Sequence, residues 1–359
     1  MRHSFRLIDT GLREGRANIA FDQAMVTLRE QGAIPDTLRF IHFPPTALVG
    51  RHQDLGLELN LDYCRANGIG IARRMTGGGA IYLDQKQLGW AIVCSRKVFG
   101  GADLGTITRR VCEAVAAGIS NLGVEARYRP RNDIEVGGRK ISGTGGYFDG
   151  DVLMFQGTVL IDLDPATISC VLNVPKAKLA KRDLDDASQR VTTLCALLGE
   201  APSLADVQSA LAGALAAALE IDFFRGDPSD AEEVHALAAF NDEIGTEEFV
   251  HEIDGADRVA GIRVGHHLGA GGLVSAHLRL EGATNDRVRE ILFTGDFFVT
   301  PPRIVFDLES ALRRVGIAEL PKAIEKYFEA LPSGGLLSIG AADFVAAVRL
   351  ACAAEPVAA

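Results

Sequence analysis

A pair of cations followed by a run of glycines is the stretch of this sequence best suited to chemistry. Arg73 and Arg74 are followed, after two residues, by three consecutive glycines at positions 77–79. Glycine lacks a Cβ atom, so its backbone can approach a ligand closely and its φ angle can be positive. The arginines provide forks of donors suited to phosphate or carboxylate. The stretch therefore predicts an anion-binding loop. A glycine-rich hairpin beside a solvated arginine pair is the alternative, and the spacing matches neither standard nucleotide loop.

A second polar group surrounds a predicted hairpin turn at residues 137–138. This turn places Asn132 and Asp133 on one strand and Lys140 on the next, so that a carboxylate faces a cation. A cross-strand salt bridge is sufficient to explain the pairing. Another glycine-rich run follows at residues 142–146, however, and it again predicts close approach of the backbone to a polar ligand.

Hydrophobic periodicity gives the elements that must position these residues. In the first two thirds of the chain, helices are predicted at residues 18–30, 62–66, 106–121 and 203–221. Strands are predicted there at residues 37–43, 46–50, 80–82, 88–94 and 152–161. Gly157 falls inside the last strand, where a glycine predicts a bulge or the approach of a ligand.

The pattern changes at about residue 240. Strands are then predicted at residues 259–264, 272–281 and 289–293, followed by helices at 307–315, 322–331 and 341–353. The predicted fold class is α/β (α+β), with one domain at residues 1–228 and a smaller α+β domain at residues 229–359.

Composition and charge exclude several classes of protein. The chain has 359 residues, 47% of them hydrophobic, which is enough for two globular domains. A formal net charge of −10 and the lack of a long basic block argue against a general nucleic-acid binder. We find neither a secretory signal nor an apolar run of membrane-spanning length. Six cysteines without a CxxC pair predict a reduced, cytoplasmic protein with mostly buried thiols and no zinc site.

Taken together, these stretches resemble the lipoate–protein ligase family, within the wider biotin and lipoate ligase fold. The resemblance covers about the first 225 residues in order, and its most specific part is Arg-Arg-Met-Thr-Gly-Gly-Gly-Ala at residues 73–80. Residues 271–274 and 295–298 resemble parts of the accessory domain of such ligases. The fold implied is a ligase-like catalytic domain with a mixed central β-sheet and a small accessory domain.

The resemblance implies a reaction in two steps. ATP and lipoate, or octanoate, give acyl-AMP and pyrophosphate, and the acyl group then passes to the ε-amine of a lysine on an apo-carrier protein. Lys140 is implied as the catalytic cation, because the acyl carboxylate and the α-phosphate repel each other and must be held together.

The resemblance also implies the binding residues. The acyl group would be bound by Arg51, Arg73, Thr76, Gly77, Gly78, Gly79, Ser142 and Gly143. The nucleotide would be bound by Arg73, Gly78, Tyr82, Asn132, Asp133, Lys140, Thr158, Lys176 and Lys178. Residues 176–182 would form an adenylate loop, and Asp133 would hold Mg²⁺.

The partner implied is an apo-lipoyl carrier protein. Dehydrogenase E2 domains, the glycine-cleavage H-type protein and dedicated lipoate-binding proteins all present a lysine at a hairpin tip. Neither nucleic acid nor membrane is expected as a partner, and the fusion of both domains on one chain predicts that a monomer suffices. Leu83 and Gln156 stand where many relatives have histidine, which leaves acyl and acceptor preference open.

Two rival functions remain open. A carrier-to-carrier octanoyl or lipoyl transferase of the same fold uses a cysteine nucleophile and no ATP. Here Cys170 is predicted to be a buried structural thiol in a helix, and Pro175 stands where the transferase thiol is expected. A non-catalytic binder of acyl carriers is the second rival, although retention of Arg73, Asp133 and Lys140 together argues against lost chemistry. Biotin ligase is not favoured, because its glycine and arginine loop is absent.

Overall fold

The computed structural model describes residues 2–173, 190–331, 336 and 339–358. Its strands are, in chain order, β1 (His3–Leu12), β2 (Thr37–His42), β3 (Thr46–Val49), β4 (Gly70–Arg73), β5 (Ile81–Leu83), β6 (Gln87–Ser95), β7 (Arg127–Arg129), β8 (Asp133–Val136), β9 (Arg139–Asp149), β10 (Val152–Leu160), β11 (Ile221–Arg225), β12 (Arg263–Gly269), β13 (Gly272–Glu281) and β14 (Arg287–Gly295).

The helices follow the predicted periodicity in most places. They are α1 (Gly15–Glu30), α2 (Leu55–Glu58), α3 (Leu61–Ala66), α4 (Leu104–Ser120), α5 (Pro165–Val171), α6 (Leu194–Leu198), α7 (Leu204–Ala218), α8 (Asp230–Ala239), α9 (Glu247–Val250), α10 (Ile304–Ala311), α11 (Leu320–Glu329) and α12 (Ala341–Ala353). Side-chain caps fix the start of several of these helices. Asp103, for example, accepts a hydrogen bond from the backbone N–H of Thr106 at 2.7 Å at the start of α4.

One large sheet has the order β11-β1-β2-β6-β10-β9-β8-β7. β1 runs parallel to both of its neighbours, β11 and β2, whereas the other pairs are antiparallel. The predicted mixed central sheet is therefore confirmed. β1 and β11 were missed, and the helix predicted over residues 203–221 ends at Ala218, because Ile221 already belongs to an edge strand.

The centre of this sheet is fully buried. Trp90 on β6 has no exposed surface, and a Cβ built on Gly157 of β10 would lie 2.4 Å from its Cζ2 atom. β10 pairs with β6 through Gly157 without a register shift. Of the two alternatives predicted at Gly157, the bulge is therefore excluded, the indole ring packed over it requires glycine, and the approach of a ligand stays a prediction.

A small sheet of order β4-β3-β5 carries the ends of the glycine-rich loop. β3 pairs antiparallel with β5, from Thr46 opposite Leu83 to Leu48 opposite Ile81. Because β3 lies between β4 and β5, the chain must cross the end of β3 between Arg73 and Ile81. The glycine-rich stretch is this crossing connection, so it is not a simple hairpin between adjacent strands.

The last third of the chain contains a three-stranded sheet of order β12-β13-β14. Helix α12 packs against β12 and β13 of this sheet. Phe293, Phe297 and Phe344 are fully buried in its core, and the rings of Phe293 and Phe297 each meet Phe344 edge-on. The strand predicted at 259–264 overlaps the observed strand only at residues 263–264, so its predicted start is wrong. The chain turns at Gly261, where φ is +81°, and β12 begins only at Arg263.

The chain forms two compact units. The first contains residues 1–48, 59–73 and 81–250, and the second contains residues 49–58, 74–80 and 251–359. Residues 229–250 pack in the first unit, because the buried carboxylate of Glu232 receives Arg6 through both oxygens at 2.9 and 2.5 Å. Arg16 likewise donates to the carbonyl of Gly245 at 2.8 Å. The functional boundary predicted at 228/229 stays a prediction. It does not coincide with the boundaries of the two compact units.

The six cysteines are all free thiols. Cys64, Cys94 and Cys112 are buried as expected, whereas Cys170 is exposed. The interpretation of Cys170 as a buried structural thiol is therefore wrong, because α5 turns this side chain toward solvent. Among the described helices, none is both long and apolar enough to cross a membrane.

Candidate functional site

The hairpin of β8 and β9 brings the predicted cation and carboxylate together. Gly137 and Gly138 have φ angles of +57° and +79°, the left-handed conformation that a tight two-residue turn requires. Lys140 Nζ lies 2.7 Å from Asp133 Oδ1. The register shifts between Ile134 and Glu135, so Lys140 is paired with Glu135 while its side chain reaches back to Asp133. The predicted facing of cation and carboxylate is confirmed.

Gly143 provides the space that the Lys140 side chain occupies. A Cβ built on Gly143 would lie 2.5 Å from Lys140 Nζ and 2.6 Å from its Cε. Gly143 is also directly opposite Asp133 in the ladder. The ammonium group thus lies over a bare strand backbone and beside a carboxylate.

A reciprocal set of hydrogen bonds fixes the turn that precedes Asp133. The Asn132 side-chain amide donates to the Thr144 carbonyl at 2.6 Å, and the Thr144 hydroxyl donates to the Asn132 carbonyl at 3.0 Å. Cys112 on α4 contacts the same hydroxyl at 3.2 Å, and burial raises the pKa of this thiol to about 12. Sequence analysis missed Thr144 and Cys112. These residues support the turn through their contacts, and neither belongs to a recognisable sequence motif.

Neighbouring segments extend the charge pattern and hold the Lys140 backbone. Arg129 Nη1 lies 3.6 Å from Glu135 Oε2 and 4.0 Å from Asp133 Oδ2, so positive and negative groups alternate across the hairpin. The backbone N–H of Thr192 donates to the Lys140 carbonyl at 2.8 Å. The main chain of Lys140 is therefore fixed by two neighbours, and its side chain is directed at Asp133.

Ser142 lies on the other face of β9. Its side chain is fully buried, and its hydroxyl has no hydrogen-bond partner among the residues that the structure describes. Successive side chains on a strand point to opposite faces, so Ser142 shares the face of Thr144 and not that of Gly143. The predicted contact of Ser142 with an acyl group stays a prediction.

Arg73 ends β4 as a fully enclosed cation. It is 1% exposed, and its Nε and Nη2 donate to the Val250 carbonyl at 3.0 and 2.8 Å. Val250 is the last residue of α9, whose carbonyl end attracts positive charge. No sequence pattern could indicate Val250 as a contact of Arg73. The predicted role of Arg73 toward acyl group and nucleotide stays a prediction.

The other predicted nucleotide residues of the first unit are spread over two strands. Tyr82 lies on β5, and burial, together with Asp84, raises the pKa of its hydroxyl to about 12. Thr158 lies on β10 opposite Gly89. Lys176, Lys178 and the rest of the predicted adenylate loop at residues 176–182 lie outside the described residues, as does Pro175.

In the second unit, the glycine-rich loop is built around the Arg74 guanidinium. Arg74 Nη2 donates to the carbonyls of Gly77 and Gly79 at 2.7 and 2.9 Å, and its Nε donates to the Thr76 hydroxyl at 3.1 Å. Arg74 therefore shapes the loop from inside. The hydroxyl of Thr76, a predicted acyl-binding group, accepts this internal hydrogen bond.

The three glycines of the loop have different surroundings. A Cβ on Gly77 would lie 1.9 Å from the Phe297 carbonyl oxygen, and one on Gly78 would lie 2.6 Å from Phe298 Cζ. Gly79 has no atom within 4 Å of its Cβ position. Packing alone therefore requires glycine at positions 77 and 78, and the predicted contacts of Gly77, Gly78 and Gly79 with a ligand stay predictions. At Gly79 the space at the Cβ position is open, while its carbonyl accepts the hydrogen bond from Arg74.

Arg51, also predicted to bind the acyl group, is engaged within the same unit. Its guanidinium pairs with Glu252 and lies 4.7 Å from the centre of the Phe306 ring. The backbone N–H of Arg51 donates to the Thr76 carbonyl at 3.0 Å. Nearby, burial raises the pKa of Glu309 to about 8, and this carboxyl accepts a hydrogen bond from the Phe293 N–H at 2.7 Å.

The surroundings of Asp133 bear on its predicted role as a ligand of Mg²⁺. Among the described residues, no group of three or more His, Cys, Asp or Glu side chains could hold a metal ion. Mg²⁺ is nevertheless often held by one or two carboxylates together with substrate phosphates. Asp133 fits that arrangement as a single carboxylate beside Lys140, and its binding of Mg²⁺ stays a prediction.

Comparisons with known proteins agree with this architecture. The family model described as "Lipoyl protein ligase A/B catalytic domain" matches residues 14–216. Octanoyltransferase LipM of Symbiobacterium thermophilum is 30% identical over 259 residues, which cover 66% of this chain and 94% of that protein. Subunit 1 of lipoate-protein ligase A of Thermoplasma acidophilum is 30% identical over 244 residues, covering 65% and 91%.

Solved structures give the same result. A crystal structure of lipoate-protein ligase A bound with ATP matches with a TM-score of 0.60 and 28% identity, covering 70% of this chain and 99% of that one. LipL1 of P. falciparum, in complex with lipoate, matches with a TM-score of 0.70 over 92% of this chain and 95% of its own. At 15% identity, this second match shows a shared fold alone.

Proposed function

This chain belongs to the lipoyl protein ligase A/B catalytic domain family, and we propose that it is an ATP-dependent ligase that attaches lipoate or octanoate to a carrier lysine. The observation that carries the proposal is the Lys140 ammonium lying over Gly143, 2.7 Å from the Asp133 carboxylate. A relative named lipoate-protein ligase A and a fold neighbour bound with ATP support the choice of ligase.

The first step condenses two anions. An oxygen of the acyl carboxylate attacks the α-phosphorus, the bond between that phosphorus and the bridging oxygen breaks, and pyrophosphate leaves with the electron pair. Lys140 would donate hydrogen bonds to both anions, which offsets their repulsion and aligns them. Asp133 orients the ammonium from the side. Mg²⁺, bound by the nucleotide and by Asp133, would neutralise phosphate charge.

The second step forms the amide. The acceptor lysine amine attacks the acyl carbonyl, the carbon–nitrogen bond forms, and the bond to the AMP oxygen breaks. AMP leaves with the electron pair, and the proton of the amine goes to the departing phosphate or to solvent. This step requires no side chain of the chain itself as a base.

The glycine loop would receive the acyl end at Gly79, where the space at the Cβ position is open. Because the loop packs with residues 251–359, the C-terminal part of the chain supports the loop that activation uses. We therefore expect a chain that ends at Val250 to transfer preformed lipoyl-AMP but to activate free lipoate poorly. Full activation by that truncated chain would contradict this part of the proposal.

The test uses purified enzyme with ATP, Mg²⁺ and either lipoate or octanoate. Three apo-carriers are supplied separately: an E2 lipoyl domain, a glycine-cleavage H-type protein and a dedicated lipoate-binding protein. Intact mass spectrometry of each carrier, with pyrophosphate measured in parallel, shows whether acylation requires ATP. Acylation of at least one carrier only when ATP is present supports the ligase. Acylation without ATP, or none, contradicts it.

A carrier-to-carrier acyltransferase is the second candidate, and two observations favour it. A relative that is 30% identical is named octanoyltransferase LipM, and Cys170 is the one exposed thiol of the six. A transferase would move the acyl group from a donor carrier to a cysteine and then to the acceptor lysine. Octanoyl-carrier as donor, without ATP, provides the test, with Cys170→Ser as the variant. Activity that is lost in Cys170→Ser would favour the transferase.

A further inference from the structure

Phe298 places an aromatic ring directly on the glycine-rich loop. A Cβ built on Gly78 would lie 2.6 Å from Phe298 Cζ and 3.2 Å from its Cε1. Any side chain at position 78 would displace this ring. The φ angle of Gly78, +92°, independently excludes most other residues. Ring and loop are therefore fitted to each other within the second unit.

The position of this ring is fixed by its buried neighbour in sequence. Phe297 has no exposed surface, stacks on His52 with ring centres 5.1 Å apart, and meets Phe344 edge-on. The Phe297 carbonyl accepts a hydrogen bond from the Gly78 N–H at 3.3 Å. Because Phe297 is anchored in the core, the backbone of Phe298 is held against the loop and cannot shift freely.

The open part of the loop has an amphiphilic character. Gly79 offers backbone with no neighbour near its Cβ position, and Phe298, whose ring lies against Gly78, is half-buried and not fully enclosed. Backbone dipoles suit a carboxylate, whereas an aromatic side chain suits a hydrocarbon chain. This combination fits a carboxylic acid with an apolar tail.

We propose that Phe298 is a specificity-determining residue that limits the length and bulk of the acyl chain accepted at the glycine loop. The inference rests on the proposed function, since that function places the acyl group at this loop. A smaller side chain at position 298 leaves more room for the tail, and a larger one leaves less. A change of a methylene in an apolar pocket alters selectivity by about 10-fold or more.

The experiment measures binding directly, so it does not depend on turnover. Isothermal titration of the full-length protein with lipoate and with saturated fatty acids of increasing length gives a dissociation constant for each acid. The variants are Phe298→Ala, Phe298→Leu and Phe298→Trp. Phe224→Ala is the matched control, because Phe224 is 44% exposed on β11 of the first unit. Thermal unfolding of each variant establishes that it is folded.

The smallest and the largest side chain at position 298 should shift the preferred acyl-chain length in opposite directions. Phe298→Ala should move the best-bound acid to a longer chain and raise the ratio of dodecanoate to octanoate affinity about 10-fold. Phe298→Trp should move it to a shorter chain, Phe298→Leu should lie between wild type and Ala, and Phe224→Ala should match wild type. A wild-type chain-length profile in folded Phe298→Ala and Phe298→Trp would overturn the inference. Wild-type protein that binds these acids without forming acyl-AMP would refute the proposed function alone.

Discussion

Gly143 lies beneath the ammonium group of Lys140, and its missing side chain is the space that the lysine occupies. A Cβ at position 143 would come within 2.5 Å of Lys140 Nζ. The same glycine stands opposite Asp133, the carboxylate that Lys140 contacts at 2.7 Å. One residue without a side chain thus sets the position of the cation to which the proposed chemistry is assigned.

Gly143→Ala should therefore reduce activity far more than stability. The methyl group meets the flexible end of Lys140, which moves aside at little cost in folding free energy. A displacement of about 1 Å at a reacting group can lower the rate about 100-fold. Pyrophosphate release and urea unfolding provide the two measurements. Gly213→Ala is the control, because its Cβ would meet no atom within 4 Å inside α7, and we expect unchanged activity. Equal activity in both variants would contradict the role of Gly143.

Gly157→Ala should have the opposite effect and reduce stability far more than activity. Its methyl group would lie 2.4 Å from Cζ2 of Trp90, a fully buried ring that cannot move without disturbing the sheet. Overpacking of this kind costs about 1–3 kcal/mol of unfolding free energy. Trp90 is the only tryptophan, so its fluorescence reports the site directly. A variant with wild-type stability and an unchanged emission spectrum would show that the packing is looser than described.

Two adjacent glutamates on α8 provide a matched test of buried and exposed ion pairs. Glu232 is fully buried against Arg6, whereas the side chain of Glu233, paired with Arg13, is 46% exposed. Glu232→Gln leaves a buried guanidinium without its counter-charge and should cost about 3–5 kcal/mol. Glu233→Gln should cost about 1 kcal/mol or less. Urea unfolding of both variants gives the comparison, and similar losses would contradict the assigned packing of α8.

The pH dependence of stability should reveal Glu309. Burial raises the pKa of this carboxyl from 4.5 to about 8 in the folded protein. Between these values the unfolded chain loses the proton that the folded chain keeps, so Glu309 lowers stability as pH rises through this window. Its contribution is at most about 1.4 kcal/mol per pH unit.

Glu309→Gln keeps an oxygen acceptor for the Phe293 N–H and removes the titration. Relative to wild type, this variant should become progressively more stable between pH 5 and about pH 8. Urea unfolding at several pH values measures the difference. A difference that does not change with pH would show that Glu309 titrates normally.

Local patterns predicted the parts of the site that local sequence determines. The turn at Gly137 and Gly138 fixes which strands face each other, so the contact of Asp133 with Lys140 followed from spacing alone. The long amphipathic helices, such as α4, were found for the same reason. Residues that support the site through tertiary contacts are not marked by a local sequence pattern. Thr144 and Cys112 were missed for this reason.

The glycine-rich loop shows why sequence was insufficient elsewhere. Three consecutive glycines predicted a ligand cradle, yet Gly77 and Gly78 are required by Phe297 and Phe298, which lie far along the chain. Arg51 similarly meets Glu252 only through folding. These contacts depend on tertiary packing, and of the three glycines only Gly79 has open space at its Cβ position.

Lipoate-dependent release of pyrophosphate by Lys140→Ala tests the central claim most directly. Lys140 is 30% exposed at its side chain and lies over glycine, so its truncation should leave the fold intact by circular dichroism. We expect pyrophosphate release to fall by at least about 100-fold, because the two anions lose the cation that offsets their repulsion. Wild-type release by the folded variant would contradict the assignment of Lys140.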